Sequence, residues 1–344
     1  MHTLQQALGS GFGAASTAAE VMAGISLVGK TAIVTGGYSG LGLETVRVFL
    51  AAGARVIVPA RDLTRAAVQM ASVPGAELWP MDLLDPASID AFAARFVAEG
   101  VPLHILVNSA GIMAVPTREL DARGFELQFA TNHLGHFQLT CRLWPALVAA
   151  DGARVVAVSS RGHRFAPVDF DDPHFTHRPY DPWTAYGQSK TANVLFALGL
   201  DRRGQAAGIR AFAVHPGGIV NTHLAKHLNP EDLRAAGAID AAGRPIIDPS
   251  IGFKNVAQGA ATQVWCATSP QLAQYGGVYC EDVNIAALMP EDAPVFALGN
   301  RDGIARNGVR AYAVDAAAAE RLWTLSESLT GAMEVTEGAD NALW

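Results

Sequence analysis

The strongest constraint on this 344-residue chain is an alternation. From Lys30 onward, short runs rich in Val, Ile and Leu take turns with longer segments of helical periodicity. Near-continuous apolar strands need cover on both faces, and parallel strands obtain it from crossover helices. The pattern therefore predicts an α/β doubly wound sheet. Strands are expected at 31–35, 54–59, 76–81, 104–108, 154–159 and 209–214, with a seventh near 276–280. Between them, GLGLETVRVFLAAG and PASIDAFAARFVAEG carry apolar residues at i, i+3 and i+4, the spacing of a helix with one buried stripe. No internal repeat or low-complexity linker divides this core. One domain is expected over 29–330, preceded by an extension at 1–28 and followed by a tail at 331–344. Two long segments, 161–183 and 223–254, decorate the sheet, and loops of such length in a compact domain usually act as lids or binding loops.

Composition narrows the function classes. Half the residues are hydrophobic and 17% are charged, which suits a large buried core and argues against disorder. The net charge of -7 comes without basic runs, so nucleic acid is not an expected partner. Cys141, Cys266 and Cys280 are too few and too far apart for a disulfide framework or a CxxC zinc site, which fits a reducing, cytoplasmic setting. The first twenty residues lack Lys and Arg and do not read as a secretory signal. No apolar run reaches the roughly 18 residues of a membrane span.

The turn VTGGYSGLGLE joins the first strand to the first long helix. Gly36 permits a tight turn, Gly40 lets backbone amides approach a pyrophosphate, and Gly42 lets the helix pack closely on the sheet. Tyr38, Ser39 and Leu41 share this turn. The second strand ends VIVPARD, where an NAD site would place a carboxylate for the ribose hydroxyl. Ala60 stands there instead, followed by Arg61, whose guanidinium suits the 2′-phosphate of NADP.

With these features in order, the chain resembles the short-chain dehydrogenase/reductase family from about Lys30 to Gly277. The resemblance rests on TGGYSGLG, Asp82-Leu83, NSAG at 108–111, the serine pair 159–160, YGQSK at 186–190 and HPGG at 215–218. GYSGLG, ARD, NSAGIM, TNHLGHF and the long interval from Ser160 to Tyr186 are most similar to the retinol-dehydrogenase and protochlorophyllide-reductase-like branch and its bacterial members. The resemblance implies a single Rossmann-type sheet of about seven strands that binds NADP(H). It implies Tyr186 as general acid/base, Ser160 as the donor to the substrate oxygen, and Asn132 as the start of a water-linked relay to Lys190. Asp82 would bond the adenine, with Leu83 beside it. Asn108 and Gly111 would shape the sheet edge beneath the ribose. Pro216, Gly217, Ile219 and Thr222 would border the nicotinamide, Asn221 standing where the family usually has threonine. A free tyrosine titrates near about 10, so Lys190, four residues on and on the same helical face, is expected together with the oxidised nicotinamide to favour the phenolate.

The expected reaction is hydride transfer between NADP(H) and a ketone, aldehyde or alcohol. Reduction of a carbon–carbon double bond on the same fold is the alternative, and a binding protein without chemistry would be expected to lack part of this catalytic set. Phe165, Phe170, Phe175, Tyr180, Trp183, Leu224, Leu228 and Phe253 fall in segments that should border an apolar or bulky substrate. His133 with His136, and His223 with His227, have helical spacing but no third ligand, so no metal is expected. DAAAAERLWTLSESLTG is expected to form an amphipathic helix packed on the body or on a second copy, leaving homo-oligomerisation open.

Overall fold

The computed structural model describes residues 5–220, 222–293 and 307–332. Eight strands form one sheet in the order β3-β2-β1-β4-β5-β6-β7-β8. They are β1 (Thr31–Val34), β2 (Arg55–Ala60), β3 (Glu77–Pro80), β4 (Ile105–Asn108), β5 (Arg154–Val158), β6 (Arg210–His215), β7 (Val278–Glu281) and β8 (Asn284–Ile285). The first seven run parallel, and each lies within two residues of its expected bounds. β8, two residues long and antiparallel to β7, adds to the expected count of about seven. It was hidden because its turn has unusual chemistry. Asp282 and Val283 join the two strands with φ of 50° and 58°, a conformation that tight hairpins normally give to Gly or Asn. Neighbours hold the strained pair in place: Asp282 is ion-paired with buried Lys254 at 2.6 Å, and the Val283 N–H donates to Thr262 Oγ1 at 3.1 Å.

The helices are α1 (Ala18–Met22), α2 (Gly40–Ala51), α3 (Leu63–Gln69), α4 (Pro86–Ala98), α5 (Leu127–Phe129), α6 (Gly135–Arg142), α7 (Trp144–Val148), α8 (Pro182–Gly204), α9 (Pro230–Ala235), α10 (Val256–Thr268) and α11 (Ala316–Thr330). Several start on side-chain caps. Asp62, Asp85, Asp181 and Asn255 each accept a backbone N–H from the first turn of α3, α4, α8 and α10.

Side chains alternate across the sheet, as period two requires. Ile33, Ile57, Leu106 and Val155 enter one core with Phe92 and Phe96 of α4, Leu195 of α8 and Trp323 of α11. Val34, Val56, Val58 and Val107 enter the other with Val21 of α1, Phe49 of α2 and Trp265 of α10. The amphipathic C-terminal helix thus packs on the body. Residues 333–344 of the expected tail lie outside the described residues.

The N-terminal extension is fastened to the far edge of the sheet. The Gln5 amide nitrogen donates to the carbonyls of Tyr279 and Ala286, both at 2.6 Å, and its oxygen accepts the Tyr279 N–H at 2.9 Å. Among the described residues no helix is long and apolar enough to cross a membrane.

Candidate active site

A cleft of about 800 Å³ runs along the C-terminal ends of the strands, where open parallel sheets hold their ligands. Gly36, Tyr38, Ser39, Gly40, Leu41 and Gly42 line one end. Gly36 has φ of 65°, and a methyl group there would come within 3.0 Å of the Ala110 Cα. One at Gly42 would collide with the Gly36 carbonyl. The α2 N-terminus opens into the cleft, and Ser39, its N-cap, makes no side-chain capping bond. Those free N–H groups and the bare glycine surface fit a pyrophosphate.

At the end of β2, Ala60 and Arg61 both line the cleft, and the Arg61 side chain is 73% exposed with Asp82 4.0 Å away. Arg65, on the first turn of α3, lines it too and was missed by the sequence reading. Asp82 Oδ1 accepts the Leu84 N–H at 3.0 Å, and Asp82 and Leu83 form the adjacent wall. Gly111 borders the cleft, whereas Asn108 lies beneath it, donating to Thr140 Oγ1 at 3.2 Å.

The centre of the site stands on α8. Tyr186 and Lys190 sit one turn apart, 3% and 4% exposed, with Lys190 Nζ 5.6 Å from the phenol ring centre. Lys190 Nζ donates to the Val158 carbonyl at 3.0 Å. Burial pushes the Tyr186 phenol up to about 12, with the Ser160 hydroxyl pulling partly the other way, and draws the Lys190 ammonium down to about 7. Burial is the larger influence on the phenol here, whereas the expected pull toward the phenolate involves the Lys190 ammonium together with an oxidised nicotinamide. The phenol is a neutral acid at neutral pH.

Ser160 lies just past β5, and its Oγ accepts the Gly162 N–H at 3.0 Å, leaving its proton to point elsewhere. Ser159 instead donates to the Lys190 carbonyl at 2.7 Å. Gly162 is a positioning residue that the sequence reading passed over. A methyl group on it would sit 2.6 Å from Tyr186 Cε1, so the ring lies flat on bare backbone.

Asn132 occupies a π-helical turn, Ala130–Leu134, that periodicity did not reveal. Its Oδ1 accepts the Ile112 N–H at 2.9 Å, and its Nδ2 donates to the Ile112 carbonyl and to Ser189 Oγ. It makes no direct bond to Lys190, but both flank Gly111: a methyl there would lie 3.1 Å from Asn132 Oδ1 and 3.5 Å from Lys190 Nζ. His136 has both nitrogens engaged, with the Asn132 carbonyl at 3.0 Å and Thr35 Oγ1 at 2.9 Å. Thr35 Oγ1 also accepts the N–H groups of Ser109 and Ala110, so TNHLGHF braces the floor of the cleft. His133 bonds Ser326 at 2.7 Å. Among the described residues no three His, Cys, Asp or Glu side chains gather as a metal site.

Pro216, Gly217, Ile219 and Thr222 line the cleft after β6. Thr222 lies against the glycine turn, its Cγ2 3.3 Å from where a Gly40 methyl would stand. Asn221 and the side chain of His223 fall outside the described residues. Of the expected apolar wall, Phe165, Trp183, Leu224, Leu228 and Phe253 are in place. Phe170, Phe175 and Tyr180 are not. Phe170 packs under Arg321, and Phe175 lies edge-on to Tyr180, whose hydroxyl donates to the Val115 carbonyl at 2.9 Å. These three serve to pin the 161–183 segment to the body.

Fold and cleft define an α/β oxidoreductase site, and comparison with known proteins agrees. The family model described as short chain dehydrogenase matches residues 30–233. A "Probable oxidoreductase" from Streptomyces lividans is 48% identical over 304 residues, covering 87% of this chain and 97% of that protein. Retinol dehydrogenase 12 from Mus musculus is 35% identical over 313 residues, covering 89% and 88%. A crystal structure of an uncharacterised protein from Mycobacterium paratuberculosis superposes with a TM-score of 0.66 at 33% identity, covering 92% and 98% of the two chains. The chain belongs to the short-chain dehydrogenase family and is an oxidoreductase.

Proposed function

We propose that this protein interconverts a ketone or aldehyde and the corresponding alcohol with NADP(H). The observation that carries this is the buried Tyr186 phenol, held neutral beside Ser160 and Lys190 in the same cleft as the glycine turn. When bound, the cofactor supplies or accepts hydride at its nicotinamide ring. The glycine turn and the α2 N-terminus would hold its pyrophosphate, and Arg61 with Arg65 its 2′-phosphate; Ala60 leaves no carboxylate to repel that group. Ser160, whose oxygen accepts the Gly162 N–H, offers its own proton to the substrate oxygen. Tyr186 gives its phenol proton to that oxygen in reduction and recovers one in oxidation. Lys190, with its pKa lowered to about 7, exchanges a proton readily at neutral pH, and Asn132 holds the backbone of Ile112 that walls the site.

A panel of aldehydes, ketones and alcohols assayed with NADPH and with NADH, followed by absorbance, tests the reading. NADPH should be consumed with carbonyl compounds and preferred over NADH. Preference for NADH would overturn the cofactor assignment; consumption only with activated alkenes would overturn the reaction.

A further inference from the structure

Two buried N–H groups at the substrate end of the cleft lack acceptors. Arg161 directly follows Ser160 and lines the cavity, and its Nε is buried with no hydrogen-bond partner. Among the described residues its guanidinium forms no ion pair. Instead it lies against Gly252, where a methyl group would come to 2.5 Å from Nη2. His215 ends β6 and lines the same cavity. Its Nδ1 accepts the Arg161 backbone N–H at 3.1 Å. Burial, reinforced by the positive charges of Arg161 and Lys254, holds this ring well below its usual range, so it is neutral and carries its proton on Nε2. That Nε2 is also buried without a partner.

The nearby carboxylates are committed elsewhere. Asp282 is paired with Lys254 and accepts from Asn307 at 2.7 Å. Glu281 accepts the Gly308 N–H, and burial raises it to about 7. Arg164 donates to the Gly308 carbonyl at 2.8 Å, and neutral His163 and the Tyr279 hydroxyl complete the surroundings. Positive charge is thus in surplus. It does not belong to the phosphate end, because Arg161 follows β5 and Arg61 follows β2, three strand positions or about 14 Å apart.

We propose that Arg161 Nε–H and His215 Nε2–H together bind a carboxylate of the substrate, so that the molecules turned over are oxo acids, or their hydroxy acids, with an apolar body. Two donors and one full positive charge match two carboxylate oxygens, while Phe165, Trp183, Ile251 and Phe253 accept the remainder. The proposal rests on the carbonyl–alcohol reading above.

Benzoylpropionate and its methyl ester make a direct test under saturating NADPH. The parent protein should favour the acid at least about tenfold in kcat/KM, and Arg161→Met should collapse that ratio to about one, mainly through KM of the acid. Arg161→Lys should restore part of it. Equal kcat/KM for acid and ester in the parent, or an unchanged ratio in Arg161→Met, would overturn the proposal. A binding measurement separates this from the reaction itself. With NADP⁺ bound, benzoylpropionate but not its ester should raise the melting temperature of Tyr186→Phe, and Arg161→Met should abolish the shift. That result without carbonyl reduction would sink the reaction yet support the carboxylate site; no shift at all would overturn the site.

Discussion

The two ends of the cleft are built on opposite principles. The glycine-turn end, proposed to hold the phosphates, depends on what its residues lack: Gly36 and Gly42 have no side chain, and the opening N–H groups of α2 have no side-chain cap. The substrate end depends on large polar side chains placed where water is scarce, namely Tyr186, Lys190, Arg161 and His215. The first arrangement recognises a ligand through backbone that many sequences could supply. The second fixes protonation states, and so decides what reacts. Added volume should therefore harm the first end through binding, and altered chemistry should harm the second through turnover.

Four changes would break or sharpen that contrast. Tyr186→Phe should have the largest effect, lowering turnover about a thousandfold while NADPH still quenches protein fluorescence at nearly its original concentration. Residual turnover within tenfold of the parent would remove the phenol from the mechanism. Gly162→Ala comes next, because it pushes the Tyr186 ring without touching its chemistry. Steady-state kinetics should show kcat down about tenfold to a hundredfold with KM for NADPH little changed, since displacements of about an ångström carry such losses. Should the KM for NADPH rise instead, the two ends would not be separable.

Arg61→Ala should act only at the phosphate end. KM for NADPH is expected to rise about tenfold or more with little change for NADH, and the difference should shrink in high salt because the side chain is so exposed. The smallest effect concerns Lys190. Its folded-state pKa, about 7, lies below its unfolded value of 10.5, so between about pH 7 and 9 the unfolded chain holds the extra proton. Stability should climb with pH across that window, by at most about 1.4 kcal/mol per unit, and urea titrations of Lys190→Met should show the climb reduced.

Strand positions were legible because buried parallel strands read as near-continuous Val, Ile and Leu runs, with polar residues mostly at their ends. The glycine turn, Arg61 and the Tyr186–Lys190 spacing were legible for a similar reason: each is local, within one turn or one strand end. What escaped detection was non-local. The β8 hairpin uses Asp282 and Val283 because Lys254 and Thr262 hold them from elsewhere in the chain. The need for Gly162 arises only once α8 brings Tyr186 over it, 24 residues later. Phe170 and Phe175 have the composition of a binding wall, and only the fold reveals that they pack against Arg321 and Tyr180 instead. The depth at which Tyr186 is buried escaped because sequence spacing supplies a neighbour but not the surroundings.

The Gln5 clasp bears on how the molecule is made. Its partners lie 274 and 281 residues downstream, so during synthesis the beginning of the chain must wait for almost all the rest before its amide can be satisfied. Contacts of such separation close late and slowly. The β7–β8 end of the sheet is thus the last seam to be sewn, and a bulky fusion placed ahead of Gln5 would press on that seam while leaving the cleft around Tyr186 untouched.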